Sequence, residues 1–326
     1  MRIDFTRRAV MALGLAAFSL AGLPAAADED YPSAKPVTLV VAYAAGGGTD
    51  AIARGFAAQF EKDLGGRVIV DNRPGAAGNM GTEGVAQADP DGYTLLIGNQ
   101  GPMVVNPHIF TMRHDPAEAL DPIAMIADAQ LVIVVGSRLP VTSLPELLEK
   151  AKAEQLVYGS AGNASASHVA TLLLGQSAGI ELKHVPYKGA GPAVNDLVGG
   201  HIDFMVTTVP SVIGLIGSGT LTALAVTGAE RFPGLPDVPT AIEAGLPGYT
   251  ASAWYGILGP KGIPDDVRAK IAAATSATLK SPDFLAKLET DGAVPSDLVG
   301  PAFADFMAAE RIRWGEVVKA ADIKVE

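Results

Sequence analysis

One feature constrains this chain more than any other: an alternation of two hydrophobic periods. Short β-branched runs take turns with longer stretches whose apolar residues recur every three or four positions. "VTLVVAY" (37–43) reads as a buried strand; Ile52, Phe56 and Phe60 follow at helical spacing, and Gly65-Gly66 ends that helix. "RVIVDN" (67–72) is a second strand, "GNMGTEGVAQADPDG" (78–92) a short helix and turn, and "YTLLIGN" (93–99) a third strand. Strand–helix–strand order of this kind predicts a parallel sheet covered by helices, hence an α/β fold.

The pattern restarts after a Pro-rich stretch. "LVIVVG" (131–136) precedes Ser143-Leu144-Pro145-Glu146, a capping box opening a helix. Strand "LVYGSA", helix "SHVATLLLGQ", strand "LKHVPYK", helix "PAVNDLVGG" and strands "IDFMVTT" and "LTALAVTG" complete a second α/β unit. "TASAWYGILGP" (250–260) is an extended return, and the chain beyond Pro264 is mostly helical. Two such units joined by extended segments predict two lobes with a cleft between them. In open α/β sheets, ligands sit beyond the carboxyl ends of the strands.

Those ends carry unusual loops. Gly46-Gly47-Gly48 separates the first strand from its helix, and Thr49 follows as a cap or a hydroxyl donor. Glycine admits close backbone approach, and the first amides of a helix lack intrahelical partners while the dipole favours an anion. The loop therefore suits a carboxylate or phosphate, or simply a tight turn. "YGSAGNASASH" (158–168) joins strand to helix in the second unit, with hydroxyls and an amide from Ser160, Asn163, Ser165 and Ser167 and a freed backbone at Gly162. "GNQGP" (98–102) brings Asn99 and Gln100, and "TTVPS" (207–211) brings Thr207 and Thr208. Tyr43 and Trp254 are candidate cleft walls.

Other chemistries lack their residues. No Lys-Ser/Thr follows a Walker-type glycine loop, and G-x-G-x-x-G is absent, so a nucleotide cofactor is disfavoured and none is expected. Tyr158 stands where a G-x-S-x-G nucleophile elbow needs glycine. Histidines 108, 114, 168, 184 and 201 form no short-spaced pair for a metal. His168 reads as a packing or capping residue and Lys188 as a solvated lysine. The acidic residues are scattered with no acid/base pairing. These absences favour binding over turnover.

The N-terminus reads as an export signal. Arg2, Arg7 and Arg8 precede an apolar run from Ala9 to Leu23, and Ala25-Ala26-Ala27 forms a cleavage site. Sec export is expected, with Thr6-Arg7-Arg8 as a weak twin-arginine element. Losing residues 1–27 removes Arg2, Arg7, Arg8 and Asp4, which takes the net charge from −11 to −13. So acidic a chain is a poor nucleic-acid ligand. There is no cysteine, so the fold rests on its own core.

Taken together, "YAAGGGTDAIAR", "VDNRPGAAGNMGTEGVAQADPDGYTLLIG", "YGSAGNASASH", "HVPYKGAGPAVNDLVGGHIDFM", "LTALAVTGAERFPGLPDVPTAIEAGLPGY" and "SAWYGILGPKG" resemble the Bug family, the periplasmic solute-binding proteins of tripartite tricarboxylate transporters. The resemblance implies a type II periplasmic binding fold, an α/β protein whose two lobes close on a carboxylated solute. It implies a monomer without enzymatic activity that delivers its solute to a membrane permease, and it leaves open a role presenting ligand to a sensor kinase. The expected lobes are 28–129 with 254–326, and 130–253. By the same resemblance, Tyr43, Gly47, Gly48 and Thr49, and Ser160, Gly162, Asn163, Ala164 and Ser165, hold the carboxylate, with Asn99 and Gln100 from the third polar loop. Two departures stand out. Thr207 occupies a position where many members carry Asp, and Ala44-Ala45 replaces their Pro-Pro. An aspartate can pair with a substrate ammonium and a threonine cannot, so an amine-free solute is expected.

Overall fold

The computed structural model describes residues 31–320; the export signal expected at 1–27 lies outside them. The first elements are β1 (Val37–Val41), α1 (Gly48–Leu64), β2 (Val68–Asn72), α2 (Asn79–Ala86), β3 (Thr94–Asn99), α3 (Pro116–Ala119) and β4 (Leu120–Val135). Next come α4 (Leu144–Ala153), β5 (Val157–Ser160), α5 (Ala166–Ala178), β6 (Lys183–Pro186), α6 (Ala190–Val198), β7 (Phe204–Thr208), α7 (Ile213–Gly217) and β8 (Thr222–Val226). The chain then returns through β9 (Ser252–Pro260), α8 (Asp265–Thr278), α9 (Pro282–Asp291), β10 (Val294–Pro295) and α10 (Pro301–Ala320).

The strands lie in the order β2-β1-β3-β9-β4-β7-β5-β6, with β8 and β10 also on β4. As the alternation predicts, β1 runs parallel to β2 and β3, and β5 parallel to β6 and β7. The sequence reading missed half of β4. Residues 120–130 form the strand's first part and pair antiparallel with β9; Leu131–Val135 pair with β7 and β8. Asp121, Pro122 and Asp128 disguise that half in the sequence. Pro122 survives because the ladder slips there, between Pro122 and Ala124. This one strand therefore passes from the first set of partners to the second, and β9 lies beside its crossing.

Helix α1 shows how local sequence and packing agree. Ile52, Phe56 and Phe60 are wholly buried, and Phe56 stacks on Phe60 at 4.9 Å and meets Phe284 of α9 edge-on at 5.9 Å. Burying such side chains contributes about 1.5–3 kcal/mol each. Gly65 closes the helix at φ +73, its amide returning to Glu61, a conformation that costs glycine little. Helix α4 opens with Ser143 accepting from the Glu146 amide, while Glu146 reaches back to the Thr142 amide at 2.7 Å.

Candidate functional site

The amino ends of three helices meet in one cleft. Its inner chamber, about 40 Å³, is lined by first-turn residues of α1 (Gly48, Thr49, Asp50), α5 (Ala166, Ser167) and α6 (Ala190). Each helix has unpaired amides at this end by construction. In α1 the Ala51 amide makes the first helical bond, to Gly47, and the Gly48 amide donates to Ser211 Oγ at 2.8 Å. The Thr49 and Asp50 amides find no acceptor among the described residues. In α5 the His168 amide donates to the capping Ser165 Oγ, leaving those of Ala166 and Ser167 free in the same sense.

The three glycines have distinct tasks. Gly46 takes φ +85, and its amide donates to Asp50 Oδ2 at 3.0 Å. A Cβ on Gly47 would sit 3.2 Å from Ala190 Cβ. A Cβ on Gly48 would run into Thr208 Oγ1 and lie 3.0 Å from Ser211 Oγ and 3.1 Å from the Tyr255 hydroxyl. The loop is bare because the first unit there touches the second. The Ala44 amide, donating to the Lys188 carbonyl at 2.9 Å, makes the same crossing.

No Lys, Arg or His lines the inner chamber, and its one carboxylate, Asp50, already holds three donors. Asp50 accepts from Gly46, from Arg54 Nε at 3.0 Å and from Asn72 Nδ2 at 3.0 Å. Burial works to raise its pKa, but these donors outweigh it and the carboxyl is held below the usual range. The positive potential for an incoming anion therefore comes from helix ends and hydroxyls. Asn99 is fixed from both sides, its Oδ1 accepting from the Tyr43 hydroxyl at 3.4 Å and its Nδ2 donating to Thr49 Oγ1 at 3.3 Å. Thr208 Oγ1 lies 2.9 Å from Ser211 Oγ. Burial raises the Tyr43 and Tyr255 phenols well above their ordinary range, so both stay protonated.

Of the residues expected from the sequence, Tyr43, Gly47, Gly48, Thr49, Asn99, Ser165, Thr207 and Thr208 line this chamber. Gly162 and Asn163 line a neighbouring outer chamber that shares Tyr43 and Ala161 with the inner one. Four lie in neither. Trp254 is buried beneath α10, edge-on to Phe303 at 5.5 Å and Phe306 at 5.9 Å, so it is core and not a cleft wall. Gln100 is buried at the start of a π-helical turn. Ala164, at φ +58, shapes the loop, its amide donating to His168 Nδ1 at 3.0 Å. Ser160 is wholly buried and turned away from the chamber, its Oγ 2.7 Å from His184 Nε2. Sequence reasoning had found no nucleophile–base pair. The structure makes this one, but away from the chamber, with Ser160 buried and His184 half-buried, and there it holds the loop: Ser160 Oγ also bonds the Gly162 amide and carbonyl at 3.1 Å each. Ser167, one of the loop hydroxyls read from the sequence, lines the chamber too; lining residues that the sequence reading missed include Ser211 and Tyr255.

A cleft of helix ends between two α/β units joined by crossing strands is the architecture of a solute-binding protein, and solved structures of that class resemble it throughout. The periplasmic binding protein BugD superposes with TM-score 0.86 at 34% identity, over 89% of this chain and 99% of its own. R. palustris Rpa4515, solved with adipate, gives 0.87 at 35% identity, over 90% and 99%. MatC (Rpa3494) from Rhodopseudomonas palustris, solved with bound malate, gives 0.82 at 33%, over 87% and 98%. Residues 52–323 match the family described as the tripartite tricarboxylate transporter family receptor, and the chain belongs to that family.

Proposed function

We propose that the cleft binds one carboxylate of a small organic acid that carries no amine, and that the protein does so outside the cytoplasmic membrane and passes the acid to a tripartite tricarboxylate-type permease. The observation that carries this reading is the meeting of three helix amino ends in a chamber with no cation and no unpaired carboxylate. Solved relatives hold adipate and malate, both carboxylates. Tyr43, Gly47, Gly48, Thr49, Asn99 and Ser165 would grip the acid, with Thr207 and Thr208 facing it. The halves 28–129 with 254–326 and 130–253 would close as lobes about the β4–β9 crossing. The burial of Ser160, which puts its hydroxyl out of reach of the chamber, supports binding rather than hydrolysis.

Thr207 is 1% exposed, and its hydroxyl has no hydrogen-bond partner among the described residues. The chamber thus offers an ammonium no anion beyond Asp50, which is already paired with Arg54. Calorimetric titration is expected to show binding of unaminated diacids and affinities at least about tenfold weaker for aspartate and glutamate, the loss of one uncompensated charge. Equal or tighter binding of the amino acids would refute the amine-free reading. Failure of every carboxylate to bind would refute the whole proposal.

A further inference from the structure

The backbone is most contorted where the two units face each other. Among the described residues, three that are not glycine take positive φ: Ala76 (+46), Ala77 (+56) and Ala164 (+58). Left-handed backbone is costly for any residue with a Cβ, and such strain collects at functional sites. Ala76 and Ala77 lie between Gly75 (φ +143) and Gly78 (φ +91), so four successive residues run at positive φ. With Phe110 and Tyr187 this turn walls the outer chamber. A Cβ on Gly162, across the cleft, would lie 3.7 Å from Ala77 Cα.

One residue holds the turn from behind. Asn106 is wholly buried and lines neither chamber. Its side-chain amide donates to the Ala77 carbonyl at 3.0 Å and to Asn79 Oδ1 at the start of α2. Its own Oδ1 has no partner among the described residues, a cost that an apolar side chain of similar size would not incur. Its backbone carbonyl accepts from the Phe110 amide at 2.8 Å, so it fixes a second wall as well. The Tyr43 hydroxyl stands 3.5 Å from the same Ala77 oxygen and 3.4 Å from Asn99 Oδ1. Through Tyr43 the turn reaches the inner chamber.

We infer that Asn106 is a positioning residue: by holding the Ala77 carbonyl it keeps the turn 75–78 left-handed, and the turn sets Tyr43 and the first unit's wall of the cleft. This rests on the carboxylate reading above and concerns how the cleft is held, not what fills it. Without the Asn106 donor the strained alanines relax toward ordinary backbone, and Tyr43 moves with them. Glycine at 76 and 77 adopts the same turn without that strain, so it restores what the loss of Asn106 removes.

The test uses the protein with its export signal removed, titrated calorimetrically with adipate and with malate, the acids held by solved relatives. Asn106→Leu, of similar size and without a donor, should weaken binding by about tenfold. Adding Ala76→Gly and Ala77→Gly to it should bring affinity back to within about threefold of wild type. A general loss of structure would not be repaired by two glycines. In the ligand-free protein the Gly78 amide, which donates to the Gly75 carbonyl at 3.0 Å, reports the turn, and its hydrogen exchange should quicken in Asn106→Leu. Asn106→Ser, which is too short to reach Ala77, replaces the leucine variant if melting curves show that the latter does not fold. Unchanged affinity in a folded Asn106 variant overturns the inference. So does lost affinity with Gly78 exchange unmoved, or with no recovery from the glycines. If wild type binds neither acid, that counts against the carboxylate reading, and Gly78 exchange still decides for or against Asn106 as the residue that holds the turn.

Discussion

Replacing Gly48 with alanine is expected to weaken solute binding by roughly 2 kcal/mol, about thirtyfold, while leaving the melting temperature unchanged or slightly raised. Within α1 alone, alanine is the better residue by about 1 kcal/mol. The new methyl instead strikes Thr208 Oγ1 and crowds Ser211 Oγ, both from the second unit. Overpacking costs about 1–3 kcal/mol, and here the cost falls on the state in which the two units touch. It would appear as lost affinity, since binding requires that state. The Gly48 amide would also be pushed off Ser211, its present acceptor. Isothermal titration and a thermal melt on the same preparation check this. Unchanged affinity, or a collapsed melt, would contradict it.

Acidification is expected to weaken the fold and the site together between about pH 6.5 and pH 4. Burial holds His168 down to about 3, with neighbouring His184 adding to the effect, and burial holds His184 down to about 4. The rings stack at 4.1 Å, and Tyr158 stacks on His184 at 4.8 Å. The unfolded chain takes up protons near pH 6.5 that the native pair refuses, so stability rises with pH across this window and is lost on the way down. Summed and discounted for the half-exposed His184, the loss is on the order of 4 kcal/mol by pH 4. It reaches the binding loop directly. A protonated His168 Nδ1 can no longer accept the Ala164 amide, and a protonated His184 alters the bond that holds Ser160.

Asp128 pulls the other way. Burial pushes its carboxyl up to about 6, Ser252 opposing and Glu310 adding like charge. Its contribution therefore favours the fold at low pH and is lost as pH rises through 6. Being half-buried, it offsets only about 1–2 kcal/mol. Denaturant melts at stepped pH should show a net loss in wild type. His168→Asn, which keeps an acceptor for Ala164, should show a visibly smaller loss. Equal slopes in the two proteins would contradict the assignment to the histidines.

The glycine loop was legible because a bare backbone between a strand and a helix has few physical uses. The helices were legible from period, and β1, β2 and β3 from their β-branched runs. Trp254 was not. It and Tyr255 are adjacent on β9, and successive strand residues face opposite sides. Which of the two meets the cleft depends on where α10 packs, and Phe303 and Phe306 decide it by covering Trp254. Tyr255, one residue on, lines the chamber. The serines of the 158–168 loop pose the same problem. Ser160 looked like a ligand donor, but β6 lies beside β5 and brings His184 against it, while Ser167 faces the chamber. The first half of β4 stayed hidden because its identity comes from pairing with a strand more than a hundred residues away, and no local pattern reports that.

The central claim is that free amides from both units hold one acid. It is tested most directly by amide chemical shifts of isotopically labelled protein during titration with adipate. The amides of Thr49 and Asp50 at the start of α1, and of Ala166 and Ser167 at the start of α5, are predicted to move downfield together and saturate at one equivalent. Movement confined to one of these two helix ends, or no movement while adipate binds elsewhere, would contradict it.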